Sequence, residues 1–227
     1  MADEHRKTTR REFLKIGSAS IIGLTIGALF PRGRWLEDEV YAIPASEGYL
    51  LVDTKKCQGC STCMLACSLA HEGKHNMSLA RIQVQQNPLL PFPYDVKIDQ
   101  CRQCAYPPCV ESCPTKALHV DEKNGNIRVI DPNKCIGCQR CIEACPYETA
   151  STTWNHLDTH TQKCDLCLHT PYWEEEGGVN GKQACVEVCP VGAIAFTKEV
   201  PIQTGDIGYK VNLRRDDEWG KLGWPTD

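Results

Sequence analysis

All 16 cysteines of this 227-residue chain fall into four sets of four. The first and third sets share the spacing C-x2-C-x2-C-x3-C, the second has C-x2-C-x4-C-x3-C, and the fourth has C-x2-C-x17-C-x3-C. In chain order the sets are Cys57, Cys60, Cys63 and Cys67; Cys101, Cys104, Cys109 and Cys113; Cys135, Cys138, Cys141 and Cys145; and Cys164, Cys167, Cys185 and Cys189. Thiolates at such spacings are the usual ligands of [4Fe–4S] clusters, so four sets predict four clusters.

The spacing within a set has a physical reason. Cysteines two residues apart predict a tight loop that curls around one cluster, and glycines such as Gly59 and Gly137 tolerate that curvature. The fourth cysteine is expected on a short helix that turns it towards a second cluster, as in two-cluster ferredoxins. A proline then ends three of the sets, at Pro114, Pro146 and Pro190, whereas Ser68 takes that place in the first set.

Three other uses of the cysteines fit the pattern less well. A disulfide framework is common in cysteine-rich exported chains, but it does not explain a fourfold repeat with trailing prolines. Structural zinc accepts four cysteines, yet paired C-x2-C knuckles do not crowd three ligands onto one loop. A c-type haem requires His after C-x-x-C, and none follows here. The residues at that place are Ser61, Met64, Ala105, Gln139, Ile142 and Leu168.

The N-terminus resembles a twin-arginine export signal. Arg10 and Arg11 precede Phe13, Leu14 and Lys15, and an apolar stretch follows over 16–30. That stretch is too short and glycine-rich to predict a membrane span, which needs about 20 residues. Small residues near Ala42 suit a cleavage site, so we expect a signal peptide over 1–42 and a cluster-binding domain over 43–227. An ordinary amphipathic helix is the alternative, and an uncleaved signal could tether the protein.

The signal also bears on location and cofactors. Twin-arginine export carries folded proteins, which suits clusters inserted before export, and predicts a periplasmic protein or one on the outer face of the cytoplasmic membrane. The polar stretch 205–227 predicts no tail anchor.

Other chemistry finds little support. The net charge of −4 does not indicate nucleic-acid binding, and no G-x-G-x-x-G, phosphate loop or Ser–His–Asp arrangement predicts a catalytic site. Aromatic residues make up only 7% of the chain, so bound clusters are expected to contribute to folding. The acidic run 174–176 predicts a solvated loop. The scattered histidines are expected at the surface or in loops, namely His71, His75, His119, His156, His160 and His169.

Short strands and turns are predicted between the cysteines. Alternating or apolar runs predict strands at 49–53, 81–85, 95–99, 118–121, 127–131 and 193–197. Pro88, Pro91 and Pro93 predict a turn between the second and third strands, and Gly125 lies in a hairpin turn between the fourth and fifth. Cluster loop, short helix, proline and strand pair together form the layout of a ferredoxin.

Two local strings strengthen this interpretation: Cys101-Arg102-Gln103-Cys104 with Pro107-Pro108-Cys109, and Cys135-Ile136-Gly137-Cys138. With the order of the four sets, they resemble the four-cluster iron–sulfur subunits of the dimethyl-sulfoxide-reductase superfamily over residues 49–200. The resemblance implies an α+β fold of tandem, nested bacterial-type ferredoxin units. It also implies a non-catalytic subunit that carries electrons between a molybdenum or tungsten catalytic subunit and a quinone-reactive membrane subunit or cytochrome. A free, soluble polyferredoxin is the alternative.

The family topology further implies that the sets exchange their last cysteines. Cys57, Cys60 and Cys63 would bind a cluster with Cys189, and Cys164, Cys167 and Cys185 would do so with Cys67. In the inner unit, Cys101, Cys104 and Cys109 would share a cluster with Cys145, and Cys135, Cys138 and Cys141 with Cys113.

Overall fold

The computed structural model describes residues 43–92, 94–148, 150–204, 208–209 and 211–213. The predicted signal peptide lies outside these residues. Four helices are present in the described part: α1 (Thr62–Glu72), α2 (Pro108–Glu111), α3 (Arg140–Glu143) and α4 (Ala184–Glu187). The strands there are β1 (Tyr49–Asp53), β2 (Ile82–Gln86), β3 (Val96–Gln100), β4 (Leu118–Asp121), β5 (Ile127–Ile130), β6 (Thr152–Asn155), β7 (His160–Lys163), β8 (Ile194–Thr197), β9 (Gln203–Thr204), β10 (Gly208–Tyr209) and β11 (Asn212–Leu213).

Antiparallel hairpins follow the cysteine sets along the chain. β2 pairs with β3, β4 with β5, and β6 with β7. The predicted turn between β4 and β5 is confirmed: a single 3₁₀ turn spans Glu122–Asn124, and Gly125 follows it in the left-handed conformation with φ 76°. The sequence did not predict the β6–β7 hairpin.

One sheet joins the two ends of the described chain. β1, which leads into the first cysteine set, pairs antiparallel with β8, which follows the fourth set, and β11 pairs with β1 on its other side. α1 packs against α4 in the same way, while α2 packs against α3. The first set is therefore brought to the fourth, and the second to the third.

Each helix begins one residue before the third cysteine of its set, at Cys63, Cys109, Cys141 and Cys185. Three helices are only four residues long, since the residue before a proline disfavours helical backbone. The first set has Ser68 instead, and α1 runs on for 11 residues to Glu72, where Gly73 ends it with φ 64°. Serine in place of proline after the fourth cysteine thus accounts for the one long helix among the described elements.

The main core is small and contains cysteine sulfur. Leu50, Ile82, Ile98 and Ile127 pack with the side chains of Cys63, Cys67, Cys164 and Cys185. Apolar strand residues therefore surround the places where clusters were predicted. No helix among the described residues is long and apolar enough to cross a membrane.

Candidate iron–sulfur centres

None of the 16 cysteines forms a disulfide. Cys60 and Cys138 are exposed, while Cys63, Cys67, Cys141, Cys164, Cys167 and Cys185 are buried. Within the described ranges, no three His, Cys, Asp or Glu side chains lie close enough together to hold a single metal ion.

Two cavities are lined by four cysteines each. One brings Cys113 of the second set to Cys135, Cys138 and Cys141 of the third. The other brings Cys67 of the first set to Cys164, Cys167 and Cys185 of the fourth. In both cavities the last cysteine comes from a different set than the other three.

Electrostatic effects link the remaining eight cysteines across the sets in the same crossed manner. Burial raises the pKa of Cys109 to about 12, against the opposing charge of Lys163, and the sulfurs of Cys101, Cys104 and Cys145 raise it too. Burial likewise raises the pKa of Cys63 to about 12, with contributions from Cys57, Cys60 and Cys189. Cys60 differs, because its side chain is exposed and a hydrogen bond from Thr62 lowers its pKa. Each group would supply the four thiolates that a cluster requires.

The last cysteine of every set accepts a hydrogen bond from a backbone N–H at the start of the following strand. The donors are Arg81 to Cys67 at 3.3 Å, Leu118 to Cys113 at 3.4 Å, Ser151 to Cys145 at 3.3 Å, and Ala193 to Cys189 at 3.2 Å. Hydrogen bonds to sulfur stabilise the thiolate and tune the potential of a bound cluster. The start of each of these strands therefore also stabilises the last cysteine of the preceding set.

The residue before the second cysteine is left-handed in all four sets: Gly59 (φ 67°), Gln103 (φ 49°), Gly137 (φ 69°) and Leu166 (φ 57°). Glycine adopts this conformation freely, as the sequence predicted for two of the sets. A residue with a side chain loses about 1–2 kcal/mol there. Because both Gln103 and Leu166 are fully buried, their side-chain contacts hold that strained backbone in place.

A buried ion network surrounds Cys67. Asp165 accepts from the Arg81 guanidinium at 2.7 Å and from His71 Nε2 at 3.0 Å. Burial disfavours the charged forms of Asp165, His71 and Arg81, but the hydrogen bonds and opposite charges within the network outweigh the effect of burial. The Arg81 and His71 charges hold the pKa of Asp165 well below its usual range. Hydrogen bonds to Asp165 and Cys67 raise the pKa of His71 to about 9.

The surface prediction was therefore wrong for His71. Its side chain is buried because α1 continues past Cys67, which puts His71 one helical turn further on. There its Nδ1 donates to the Cys67 carbonyl at 2.8 Å and lies 3.7 Å from the Cys67 sulfur. The missing proline after Cys67, with a His four residues beyond it, was the signal in the sequence. The acidic run 174–176 is exposed, as predicted.

One buried side chain, Gln103, links the second set to the fourth, and a buried arginine on β5 holds the second set as well. The side-chain amide of Gln103 donates to the Cys164 carbonyl at 3.3 Å, and its oxygen accepts from the Arg128 backbone N–H at 2.9 Å. The Arg128 guanidinium in turn donates to the Cys104 carbonyl at 2.8 Å. The loops of these two sets are therefore fixed relative to each other.

Comparison with known proteins also indicates [4Fe–4S] clusters. The family described as "4Fe-4S dicluster domain" matches residues 93–199. Thiosulfate reductase electron transfer subunit PhsB of Salmonella typhi is 34% identical over 155 residues, covering 65% of this chain and 73% of that protein. Protein NrfC of Escherichia coli (strain K12) is 33% identical over 194 residues, covering 83% and 79%.

Hydrogenase-2 operon protein HybA of Escherichia coli O157:H7 is 31% identical over 209 residues. That match covers 82% of this chain but only 62% of HybA. A solved structure titled as the active site complex BamBC of benzoyl coenzyme A reductase is similar at 18% identity and a TM-score of 0.34, which is too low to support an inference. The cysteine spacing, the converging sulfurs and the identity to PhsB and NrfC lead to one conclusion: the chain belongs to the 4Fe-4S dicluster family of iron–sulfur electron-transfer subunits.

Proposed function

We propose that the chain is a non-catalytic subunit that relays electrons through four [4Fe–4S] clusters between a molybdenum- or tungsten-containing catalytic subunit and a quinone-reactive membrane subunit or cytochrome. The observation that carries the proposal is the pair of cavities that each join the last cysteine of one set to three cysteines of another. Bound clusters would supply one-electron carriers, since each cubane accepts or gives up a single electron.

The proposed ligand groups extend that pattern to all four sets. Cys113 would hold a cluster with Cys135, Cys138 and Cys141, and Cys145 would do so with Cys101, Cys104 and Cys109. The outer sets would exchange Cys67 and Cys189 in the same manner. This crossed ligation, together with the β1–β8 pairing, supports two nested ferredoxin units.

Electrostatic effects between groups suggest their order along the path of electron transfer. Burial is the largest cause of the raised pKa of Cys185, and Cys63 of the neighbouring group raises that pKa further. The pKa of Cys164 is likewise raised mainly by burial, with a contribution from Cys101. The first-set group would therefore adjoin the fourth-set group, which adjoins the second-set group, and the third-set group would lie at the far end.

The two end groups each include an exposed cysteine, Cys60 in the first set and Cys138 in the third. Access from solvent at both ends suits a subunit that receives electrons from one partner and passes them to another. The name of PhsB describes an electron-transfer subunit of a thiosulfate reductase. Which substrate the partner of this chain acts on depends on that partner.

The experiment is an iron and acid-labile sulfide assay of anaerobically purified protein, followed by Cys→Ser variants. We expect about 16 iron and 16 sulfide per chain, four for each cubane. Cys145→Ser should alter the same EPR signal as Cys109→Ser, whereas Cys113→Ser should alter the same signal as Cys141→Ser. Zinc in place of iron, or half the iron in fully loaded protein, would defeat the proposal. If Cys145→Ser and Cys141→Ser alter one and the same signal, the crossed ligation is wrong.

A further inference from the structure

Thr161 lies on β7, which leads into the fourth cysteine set, but its side chain contacts the third set. Its hydroxyl oxygen is 3.5 Å from the Cys141 sulfur and 3.6 Å from the Cys135 sulfur. The residue is 2% exposed, and it lines the cavity that these two cysteines share with Cys113 and Cys138. Because a buried hydroxyl is costly without a hydrogen-bond partner, the two sulfurs account for a threonine at this position.

The β6–β7 hairpin brings Thr161 to this place. Thr161 pairs across the hairpin with Trp154, and the hairpin lies against the loop of the third set. A Cβ atom added to Gly137 in that loop would be 3.0 Å from the Thr159 carbonyl oxygen and 3.1 Å from the Trp154 ring. Because Gly137 has no side chain, the loop can approach the hairpin closely enough for the Thr161 hydroxyl to contact its sulfurs.

Two other side-chain hydroxyls that lie near a cysteine sulfur differ from Thr161. The Thr62 hydroxyl donates to the Cys60 sulfur at 3.4 Å, but this contact is exposed to solvent. The Tyr147 hydroxyl lies 3.6 Å from the Cys104 sulfur in a partly buried place. Each of these two hydroxyls contacts one sulfur, whereas the Thr161 hydroxyl lies between two sulfurs of one group, in an interior that screens charge poorly.

We propose that the Thr161 hydroxyl donates a hydrogen bond to the sulfurs of Cys135 and Cys141, and that it thereby raises the reduction potential of the third-set cluster alone. The inference rests on the proposed function, because it requires that this group binds a cubane. Cysteine binds metal as the thiolate, which carries no proton, so the hydroxyl is the donor when the cluster is present. Reduction adds one electron and one negative charge, so a donor fixed beside the sulfurs stabilises the reduced form. Thr161 is therefore a tuning residue and not itself a ligand.

Two variants separate the hydroxyl from the rest of the side chain. Thr161→Val replaces the hydroxyl with a methyl group of similar size, and Thr161→Ser keeps the hydroxyl but removes a methyl group. Each variant is purified anaerobically, assayed for iron and sulfide, and titrated with dithionite while EPR follows the clusters. We expect Thr161→Val to lower one midpoint potential by about 28–59 mV, which is a reduction equilibrium weakened about threefold to tenfold for a one-electron couple. In Thr161→Ser that potential should stay close to the wild-type value, and the other three should not change in either variant.

Three further variants assign the effect to one cluster. Thr153→Val removes a hydroxyl of the same hairpin that donates to the Gln162 carbonyl at 3.4 Å, so it should leave all four potentials unchanged. Tyr147→Phe removes a hydroxyl from the second-set group and should leave the third-set potential unchanged. Cys141→Ser should alter the EPR signal of the cluster whose potential Thr161→Val lowers.

The outcomes separate the tuning proposal from the function on which it rests. A wild-type protein with fewer than four cubanes would defeat the proposed function. Four cubanes whose potentials do not move in Thr161→Val would overturn the tuning proposal alone, and so would an equal fall in Thr161→Ser or a shift at a cluster whose signal Cys141→Ser leaves unaltered. Loss of the cluster in Thr161→Val would also overturn it, because Thr161 would then be needed to hold the cluster.

Discussion

Replacing Asp165 with Asn tests how much the ion network around Cys67 stabilises the fold. The Asp165 carboxylate is 4% exposed and lies between the Arg81 guanidinium at 2.7 Å and His71 at 3.0 Å. It also accepts the Cys167 backbone N–H at 3.1 Å. Asn has nearly the same shape but no charge, so among the carboxylates of the described residues the variant leaves Arg81 paired with Glu72, 3.6 Å away.

The expected loss of folding stability follows from the burial of this ion pair. Removing one partner of a buried ion pair destabilises proteins by about 3–5 kcal/mol. Asn still has an oxygen that can accept the Cys167 N–H, so we expect the lower end of that range, about 3 kcal/mol. For a domain of this size each kcal/mol lowers Tm by about 2–4 °C, which gives a fall of about 6–12 °C.

Thermal unfolding followed by far-UV circular dichroism measures this change, with all variants at equal iron content and one scan rate. Asp131→Asn is the matched control, because that carboxylate pairs with the exposed Lys134, and its Tm should not change measurably. Combining Asp165→Asn with Arg81→Met removes both charges and should recover part of the loss. If Asp165→Asn unfolds at the wild-type temperature with full iron content, the network does not stabilise the fold and the reasoning is refuted.

Two further variants test the first set and the predicted signal. Ser68→Pro should destabilise the protein by at least about 3 kcal/mol, because Ser68 lies inside α1 and its hydroxyl donates to the Leu65 carbonyl at 3.0 Å. It should also displace Cys67 and lower the iron content, whereas unchanged iron would show that this set tolerates the proline of the other three. Replacing Arg10 and Arg11 with Lys should leave folded, iron-loaded protein in the cytoplasm by cell fractionation, and normal export would contradict the signal assignment.

The strands next to cysteine sets were predictable to within one residue, and the errors have a physical cause. β1 and β4 have the predicted bounds. The second strand was predicted from Arg81 and the last from Ala193, but each begins one residue later. In both cases the backbone N–H of the first residue donates to a cysteine sulfur, Cys67 or Cys189, instead of joining the strand ladder.

The β6–β7 hairpin was missed because its buried residues are polar. Thr152, Asn155, Thr161 and Gln162 are all buried, so no alternation of apolar and polar residues marks these strands. Their side chains are hydrogen-bonded instead. For example, Gln162 donates to the Leu79 carbonyl at 2.7 Å and accepts from Asn155 at 3.3 Å. A rule that equates burial with apolar side chains cannot detect such a hairpin.

The ligands could be predicted because their pattern is local, whereas the charges around them depend on contacts distant in sequence. Lys56, Lys134 and Lys163 each directly precede the first cysteine of a set. Local sequence therefore gives no reason to separate them. Lys163 differs because β7 runs beside β5, where the Arg128 carbonyl receives its ammonium group. Since that contact depends on which hairpins meet, a repeated sequence motif can provide four similar ligand sets and still surround each of them with a different charge.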